Sequence, residues 1–282
     1  PTGKRPTRMK DLSTEQTAMI ADAQAMVPTL LERARKAEED RAVPRETFDE
    51  FIEKGFFRIH QPEKFGGCGW DISMMVRLGA ELGQGCGSSC WIFSNLAVQN
   101  WILGMNNPEA QDAVWGEKPT ALVASSFPAK GGKVERTDGG LIANGLWSFA
   151  SGVDFADWNN MQVFVPREEG GVAHHMALVP KSDYKVIDDW FSPGMAGTGS
   201  RSIELDNVFI PEHRLLNTAD ARAGKTIEAS ENFGPIFRVP PMCGANKIFS
   251  GPVVGMALGA LDAIERDLSD RSNVAGIPMA SL

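Results

Sequence analysis

The chain has 282 residues, enough to bury a substantial core and to divide into two or three subdomains. Its 43% hydrophobic and 23% charged residues are ordinary for a soluble globular protein. The net charge of −8 argues against a nucleic-acid surface or an anchor on acidic lipid.

Pro1 to Lys10 is basic but has no apolar segment behind it, so it reads as a frayed arm and not as a secretory signal. The chain starts without Met, which is expected of a processed or trimmed sequence. Ser13-Thr-Glu-Gln16 is a capping box, and Met19, Ile20, Ala23, Met26, Val27, Leu30 and Leu31 follow at helical spacing. Pro44 opens a second short helix closed by Gly55. After the Phe65-Gly-Gly-Cys-Gly69 turn, Asp71 caps a helix through Leu82. A longer apolar helix is expected from about Ser88 to Met105, and Pro108 starts another that ends near Trp115.

At Thr120 the pattern changes. Short β-rich runs separated by Gly, Pro and Asp occupy 120–126, 133–136, 141–150, 159–166, 173–179, 185–190 and 202–210. That density predicts an antiparallel sandwich or small barrel. Helical spacing returns over 246–268, where Ile248, Val253, Val254, Met256, Leu258, Leu261 and Ile264 make a broad apolar face. The 14 residues after Leu268 cannot cover it. The expected fold is therefore α+β: a helical domain at 1–117, a β domain at 118–217, and at 218–282 the truncated start of a second helical domain.

Within the β region, Trp147, Phe149 and Ser151 alternate, so along one strand all three would share a face. Two flat rings beside a hydroxyl suit a planar heterocycle that takes one hydrogen bond at its edge. The same stripe would equally serve as the inner face of a buried strand. Cys68, Cys86, Cys90 and Cys243 show no metal-ligand pairing with the chain's four histidines, so reduced cytoplasmic thiols and no metal site are expected. His174 and His175 adjoin in a strand and face opposite sides, and His213 reads as a loop tether. There is no Gly-x-Gly-x-x-Gly segment, so the chain is not expected to bind NAD(P)H itself.

The order of these segments resembles the acyl-CoA dehydrogenase superfamily, on the Pro62-Glu-Lys-Phe-Gly-Gly67 turn, the Trp147-Ser-Phe-Ala-Ser-Gly152 strand, Phe209-Ile-Pro-Glu-His-Arg214 and the late Gly255-Met-Ala-Leu-Gly-Ala-Leu-Asp262 helix. Within it, Gly194-Met-Ala-Gly-Thr-Gly-Ser200 is similar to a turn of the group D flavin-dependent monooxygenases, the oxygenase components of two-component systems such as p-hydroxyphenylacetate hydroxylase. The resemblance implies an enzyme that takes reduced flavin (FMNH2 or FADH2) from a separate NAD(P)H-dependent reductase. It reacts the flavin with O2 to a C4a-hydroperoxide and oxygenates a small aromatic or heteroaromatic substrate. A homotetramer, with no nucleic-acid or membrane partner, is implied as well.

On this reading Ser151 is the catalytic hydroxyl and donates to flavin N5, slowing collapse of the hydroperoxide to hydrogen peroxide. Trp147, Phe149, Ser151, Thr198, Ser200 and Arg238 bind the cofactor, and Trp91, Gln99 and Ser125 meet the substrate. Phenol-hydroxylating members carry Val-His-x-Trp where this chain has Val98-Gln-Asn-Trp101, and glutamine is no general base. An acyl-CoA dehydrogenase or oxidase is the alternative. Its carboxylate base, in one subgroup, would fall near Ala245, and the Thr-Glu-Pro strand motif is replaced by Ala124-Ser-Ser-Phe-Pro128. A catalytically silent scaffold of the same fold is the third reading.

Overall fold

The computed structural model describes residues 12–129, 131–167, 169–241, 249–269, 271, 272 and 279. The basic arm before Leu12, Cys243 and Ala245 lie outside them.

Helix α1 (Thr14–Asp40) begins at the expected capping box: Gln16 N–H donates to the Ser13 hydroxyl at 3.1 Å, and Ser13 N–H donates to the Gln16 side chain at 3.0 Å. It ends where Arg41 turns left-handed, φ 53°. Helix α2 (Arg45–Glu53) follows, then α3 (Ile72–Gly85), whose Asp71 cap accepts from Ser73 N–H. Helices α4 (Gly87–Leu103) and α5 (Pro108–Trp115) complete the helical part. α4 is buried almost all round, as a helix with apolar residues on every face must be. Phe93 of α4 packs against Phe51, Phe56 and Phe57 edge-on and tilted, each fully buried ring contributing ~2–3 kcal/mol of transfer free energy.

The strands are β1 (Val123–Pro128), β2 (Lys133–Thr137), β3 (Gly140–Ala150), β4 (Trp158–Pro166), β5 (Val172–Pro180), β6 (Lys185–Ile187), β7 (Arg201–Pro211) and β8 (Leu215–Asn217). Their ladder runs β6-β7-β3-β1-β4-β5-β8, with β2 beside β3, and it does not close. Strand β1 joins two sheets, because Val123–Ser126 ladder with β4 and Phe127–Pro128 with β3. The β1–β4 pairing is parallel, which corrects the expectation of a wholly antiparallel sheet. The intervening β2–β3 hairpin acts as the crossover that parallel neighbours require.

Two short helices, α6 (Thr218–Arg222) and α7 (Thr226–Ser230), and a 3-10 turn at Pro235–Arg238 lead to α8 (Ser250–Ser269). α8 crosses α3 on a stripe of small residues. A Cβ at Gly255 would lie 2.6 Å from the Ala80 carbonyl oxygen and 2.8 Å from the Gly83 Cα, so only glycine admits this approach. Its other face leaves Val253, Val254, Leu258, Leu261 and Ile264 exposed.

Candidate active site

Where α4, the ends of β1 and β3, the segment after β6 and the start of α8 meet, a cavity of about 680 Å³ opens. That is within the ~300–1,000 Å³ usual for cofactor sites. Trp91 and Asn95, one helical turn apart on α4, form one wall. Phe127, Phe149 and Trp190 form another, and Phe249 and Met256 close a third. Trp91 stacks on Phe249 with ring centroids 4.6 Å apart, and Phe149 meets Trp190 edge-on at 6.1 Å.

Among these rings lies a chain of hydroxyls. Trp91 Nε1 donates to Ser151 Oγ at 3.3 Å, Ser151 Oγ lies 2.6 Å from Ser200 Oγ, and Ser200 Oγ lies 2.7 Å from Thr198 Oγ1. Thr198 Oγ1 donates to the Met195 carbonyl at 2.9 Å. All three hydroxyl residues are buried. Ser151, Thr198 and Ser200, 49 residues apart at the extremes, are thus brought together.

The turn bearing Thr198 and Ser200 is held from behind. Glu38, in the last turn of α1, accepts from Ala196 N–H at 2.8 Å, from Gly197 N–H at 3.1 Å and from the Ser88 hydroxyl. Gly197 sits against α1 so closely that a Cβ would lie 2.9 Å from the Ala37 carbonyl oxygen. Arg201 pairs with Asp154 and, at 3.1 Å, with Asp188, which also takes both Arg41 amino groups at 2.7 and 2.8 Å. These guanidiniums hold Asp188 down to about 2, whereas burial pushes Asp154 up against the pull of Arg201. The ion pairs tie the 188–195 segment and the 151–154 turn to the end of α1.

The alternation expected of Trp147, Phe149 and Ser151 is broken. On β3, Trp147 pairs with Ile203 but Ala150 with Arg201, so three steps on one strand oppose two on the other. This bulge puts Phe149 at φ 63° and turns its ring out into the cavity, 58% exposed. Trp147 goes the other way: it is 1% exposed, its Nε1 donates to the Gln162 carbonyl at 2.9 Å, and it does not line the cavity. Ser151 and Phe149 therefore reach the site, and the indole is core.

Three further expected site residues do not line this cavity. Gln99 is buried, with its Oε1 accepting from Asn160 Nδ2 at 2.9 Å, and it does not line the cavity. Ser125 pairs in register with the same Asn160 and is also off the cavity, although both lie on the α4–β1 seam that leads from it. Arg238 is exposed and donates to the Phe233 carbonyl of its own turn at 3.5 Å, away from the cavity. His213 does bridge a loop, contacting Glu109 at 3.3 Å.

Sequence reasoning missed Asn95 and Glu38. Asn95 donates one amide hydrogen to the Trp91 carbonyl at 2.9 Å and faces the cavity. Its spacing of four from Trp91 was the available signal. Among the described residues no cluster of three His, Cys, Asp or Glu could hold a metal ion.

Residues 13–117 match the family described as acyl-CoA dehydrogenase, N-terminal domain. The chain is 36% identical over 241 residues to the flavin-dependent monooxygenase oxygenase subunit HsaA of Rhodococcus jostii (strain RHA1), covering 85% of this chain and 62% of that relative. It is 37% identical over 236 residues to the FADH(2)-dependent resorcinol hydroxylase oxygenase component of Rhizobium sp. (strain MTP-10005), covering 82% of this chain and 56% of the relative. The crystal structure of the HsaA monooxygenase from M. tuberculosis superposes with a TM-score of 0.88 at 31% identity, over 94% of this chain and 70% of that one.

The chain thus has the acyl-CoA dehydrogenase fold. The chain belongs to its group D branch, the oxygenase components of flavin-dependent monooxygenases. It spans 62% of the length of the first curated relative.

Proposed function

We propose that this protein is the oxygenase component of a two-component monooxygenase. It takes reduced FMN or FAD from a separate NAD(P)H-dependent reductase and uses O2 to oxygenate a small aromatic or heteroaromatic substrate. The observation that carries this reading is the cavity itself, where aromatic walls meet a buried hydroxyl chain. The bound reduced flavin supplies the oxygen activation.

In this reading Ser151 holds the flavin's N5 edge, Trp91 and Phe149 flank its ring, and Thr198 and Ser200 fix Ser151. The apolar lining keeps water from the reacting centre. Asn95 offers an amide to a substrate's polar group. Among the described lining residues there is no carboxylate, so none of them provides the base that α-proton abstraction from an acyl-CoA requires.

The exposed apolar face of α8 supports assembly into a homotetramer. No helix among the described residues is long and apolar enough to cross a membrane, and Cys68, Cys86 and Cys90 are free thiols, which supports a cytoplasmic setting.

The test supplies the full-length protein with reduced FMN or FAD, then O2 and candidate phenols and heteroaromatics. Oxygenated product is expected, and Ser151→Ala is expected to divert oxygen to hydrogen peroxide. Anaerobic reduction of bound flavin by an acyl-CoA, without oxygenated product, would refute the proposal.

A further inference from the structure

We infer that Asn95 sets the substrate specificity of the cavity: it recognises an uncharged aromatic ring through one polar group that both gives and takes a hydrogen bond, and the wall around it rejects rings that carry a carboxylate. The inference rests on the flavin reading above and names the kind of molecule that site admits. Two observations carry it. None of the described residues lining the cavity is charged. Among their side chains, Asn95 alone keeps both a free donor and a free acceptor.

Asn95 is half-buried on α4, one helical turn (~5.4 Å) beyond Trp91. Its partner is the Trp91 carbonyl at 2.9 Å, so the amide nitrogen is the atom turned towards the helix. A carboxamide has two amide hydrogens and an oxygen with two lone pairs. One hydrogen and the oxygen are left over, and no described protein group takes either. The other polar hydrogens of the wall are engaged. Ser192 donates to the Gly194 carbonyl at 2.6 Å, Trp190 Nε1 donates to the Met195 carbonyl at 3.4 Å, and Trp91 Nε1 donates to Ser151. The Ser151, Thr198 and Ser200 hydroxyls bond within their own cluster and to the Met195 carbonyl. One turn further along α4, Gln99 is closed off by Asn160. A substrate lying beside the flavin therefore meets one open polar partner.

A neutral hydroxyl answers both halves of that partner, accepting from the amide hydrogen and donating to the oxygen. A ring without a polar group leaves the carboxamide unpaired where the substrate has excluded water. A carboxylate or an ionised hydroxyl can only accept, so it sets negative charge against the Asn95 oxygen. Among the described lining residues there is no cation to offset its desolvation. The site thus discriminates through what a wrong substrate leaves unpaired, which is the stronger form of selection.

The experiment titrates the full-length protein, loaded with FMN or FAD, with phenol, anisole and 4-hydroxybenzoate by calorimetry. Wild type is expected to bind phenol about tenfold more tightly than anisole and about thirtyfold more tightly than 4-hydroxybenzoate. With 4-nitrophenol, whose hydroxyl ionises near neutral pH, binding should be full while the probe is neutral and be lost as pH rises through that ionisation. Asn95→Leu, close to isosteric, should bring phenol and anisole to the same affinity and leave the dissociation constant of flavin unchanged. Asn95→Lys supplies a cation and should reverse the preference, favouring 4-hydroxybenzoate and the ionised nitrophenol; it decides the matter if Asn95→Leu fails to fold. An unchanged phenol-to-anisole ratio in Asn95→Leu, or a wild type that prefers 4-hydroxybenzoate or binds none of the three, would overturn the inference and leave the flavin site standing. So would an Asn95→Leu protein that loses flavin and not phenol, because Asn95 would then belong to the cofactor. Failure of wild type to bind either flavin would remove the flavin reading itself.

Discussion

Glu38 is the residue whose loss should reach furthest, because it connects α1 to a turn 158 positions away. Its carboxylate accepts two backbone hydrogens, from Ala196 and Gly197, and the Ser88 hydroxyl at the start of α4. A hydrogen bond to a charged group contributes ~1.5–3 kcal/mol. Glu38 is half-buried, so the lower end applies to each of the two backbone bonds. Glu38→Ala removes both and leaves the amides of a buried turn without acceptors, a loss of ~2–4 kcal/mol. Glu38→Gln retains one acceptor oxygen but presents an amide group to the other N–H, a loss of ~1–2 kcal/mol.

Because Thr198 and Ser200 ride on this turn, the lost energy should appear in flavin binding as well as in unfolding. Glu38→Gln is expected to weaken reduced flavin ~5–30-fold, and Glu38→Ala by more. Urea unfolding gives the stability change, and anaerobic titration with reduced flavin gives the affinity. If Glu38→Ala moves neither the unfolding midpoint nor the dissociation constant, the turn holds itself and this account of its anchoring is wrong.

Trp147→Phe should cost ~2–3 kcal/mol in stability, since it strands the Gln162 carbonyl and leaves a void, yet change flavin affinity less than twofold; Phe149→Ala should show the opposite pattern. Gly255→Ala would gain ~1 kcal/mol on a free helix, but the contact with the Ala80 carbonyl makes the expected outcome a loss of ~1–3 kcal/mol by thermal or urea unfolding. His60 is fully buried, its Nδ1 2.9 Å from the Trp70 carbonyl, and burial depresses it to about 4. Below its unfolded value of ~6.5 the unfolded chain binds a proton the folded chain refuses, so stability is full above that pH. It should fall by ~3 kcal/mol on acidification to about pH 4, and equilibrium unfolding of His60→Asn should lack this component.

Elements governed by neighbours in sequence were legible before any coordinates. Ser13 and Asp71 cap their helices by reaching two or three residues along the chain, and their effect is written locally. Strand positions followed from turn residues, although β6 stops at Ile187 where a run to Trp190 was expected. The side chains of Asp188 and Asp189 there are engaged by Arg41, Arg201 and Ser202 N–H, and the main chain leaves the ladder. The parallel β1–β4 pairing was not legible, because a period-two pattern reads the same in either direction.

The site divides along the same line. Ser151, Thr198 and Ser200 could be picked out by motif, but their joining into one hydrogen-bonded chain depends on β3 and the 195–200 turn meeting in space. Strict alternation put Trp147 beside Phe149, and it failed because three steps of β3 from Trp147 to Ala150 oppose only two on β7, a mismatch that shows only once the two strands are paired. Phe149 is the residue most altered by it. A bulky side chain at φ 63° costs ~1–3 kcal/mol, so the surrounding structure must hold it there. The Gly152 N–H donating to the Thr198 carbonyl at 3.2 Å, just past the bulge, shows what does: the same turn that aligns the hydroxyls also clamps the strand that aims the ring. The ring wall and the hydroxyl chain are therefore one mechanical unit, and disturbing the 195–200 turn should displace both.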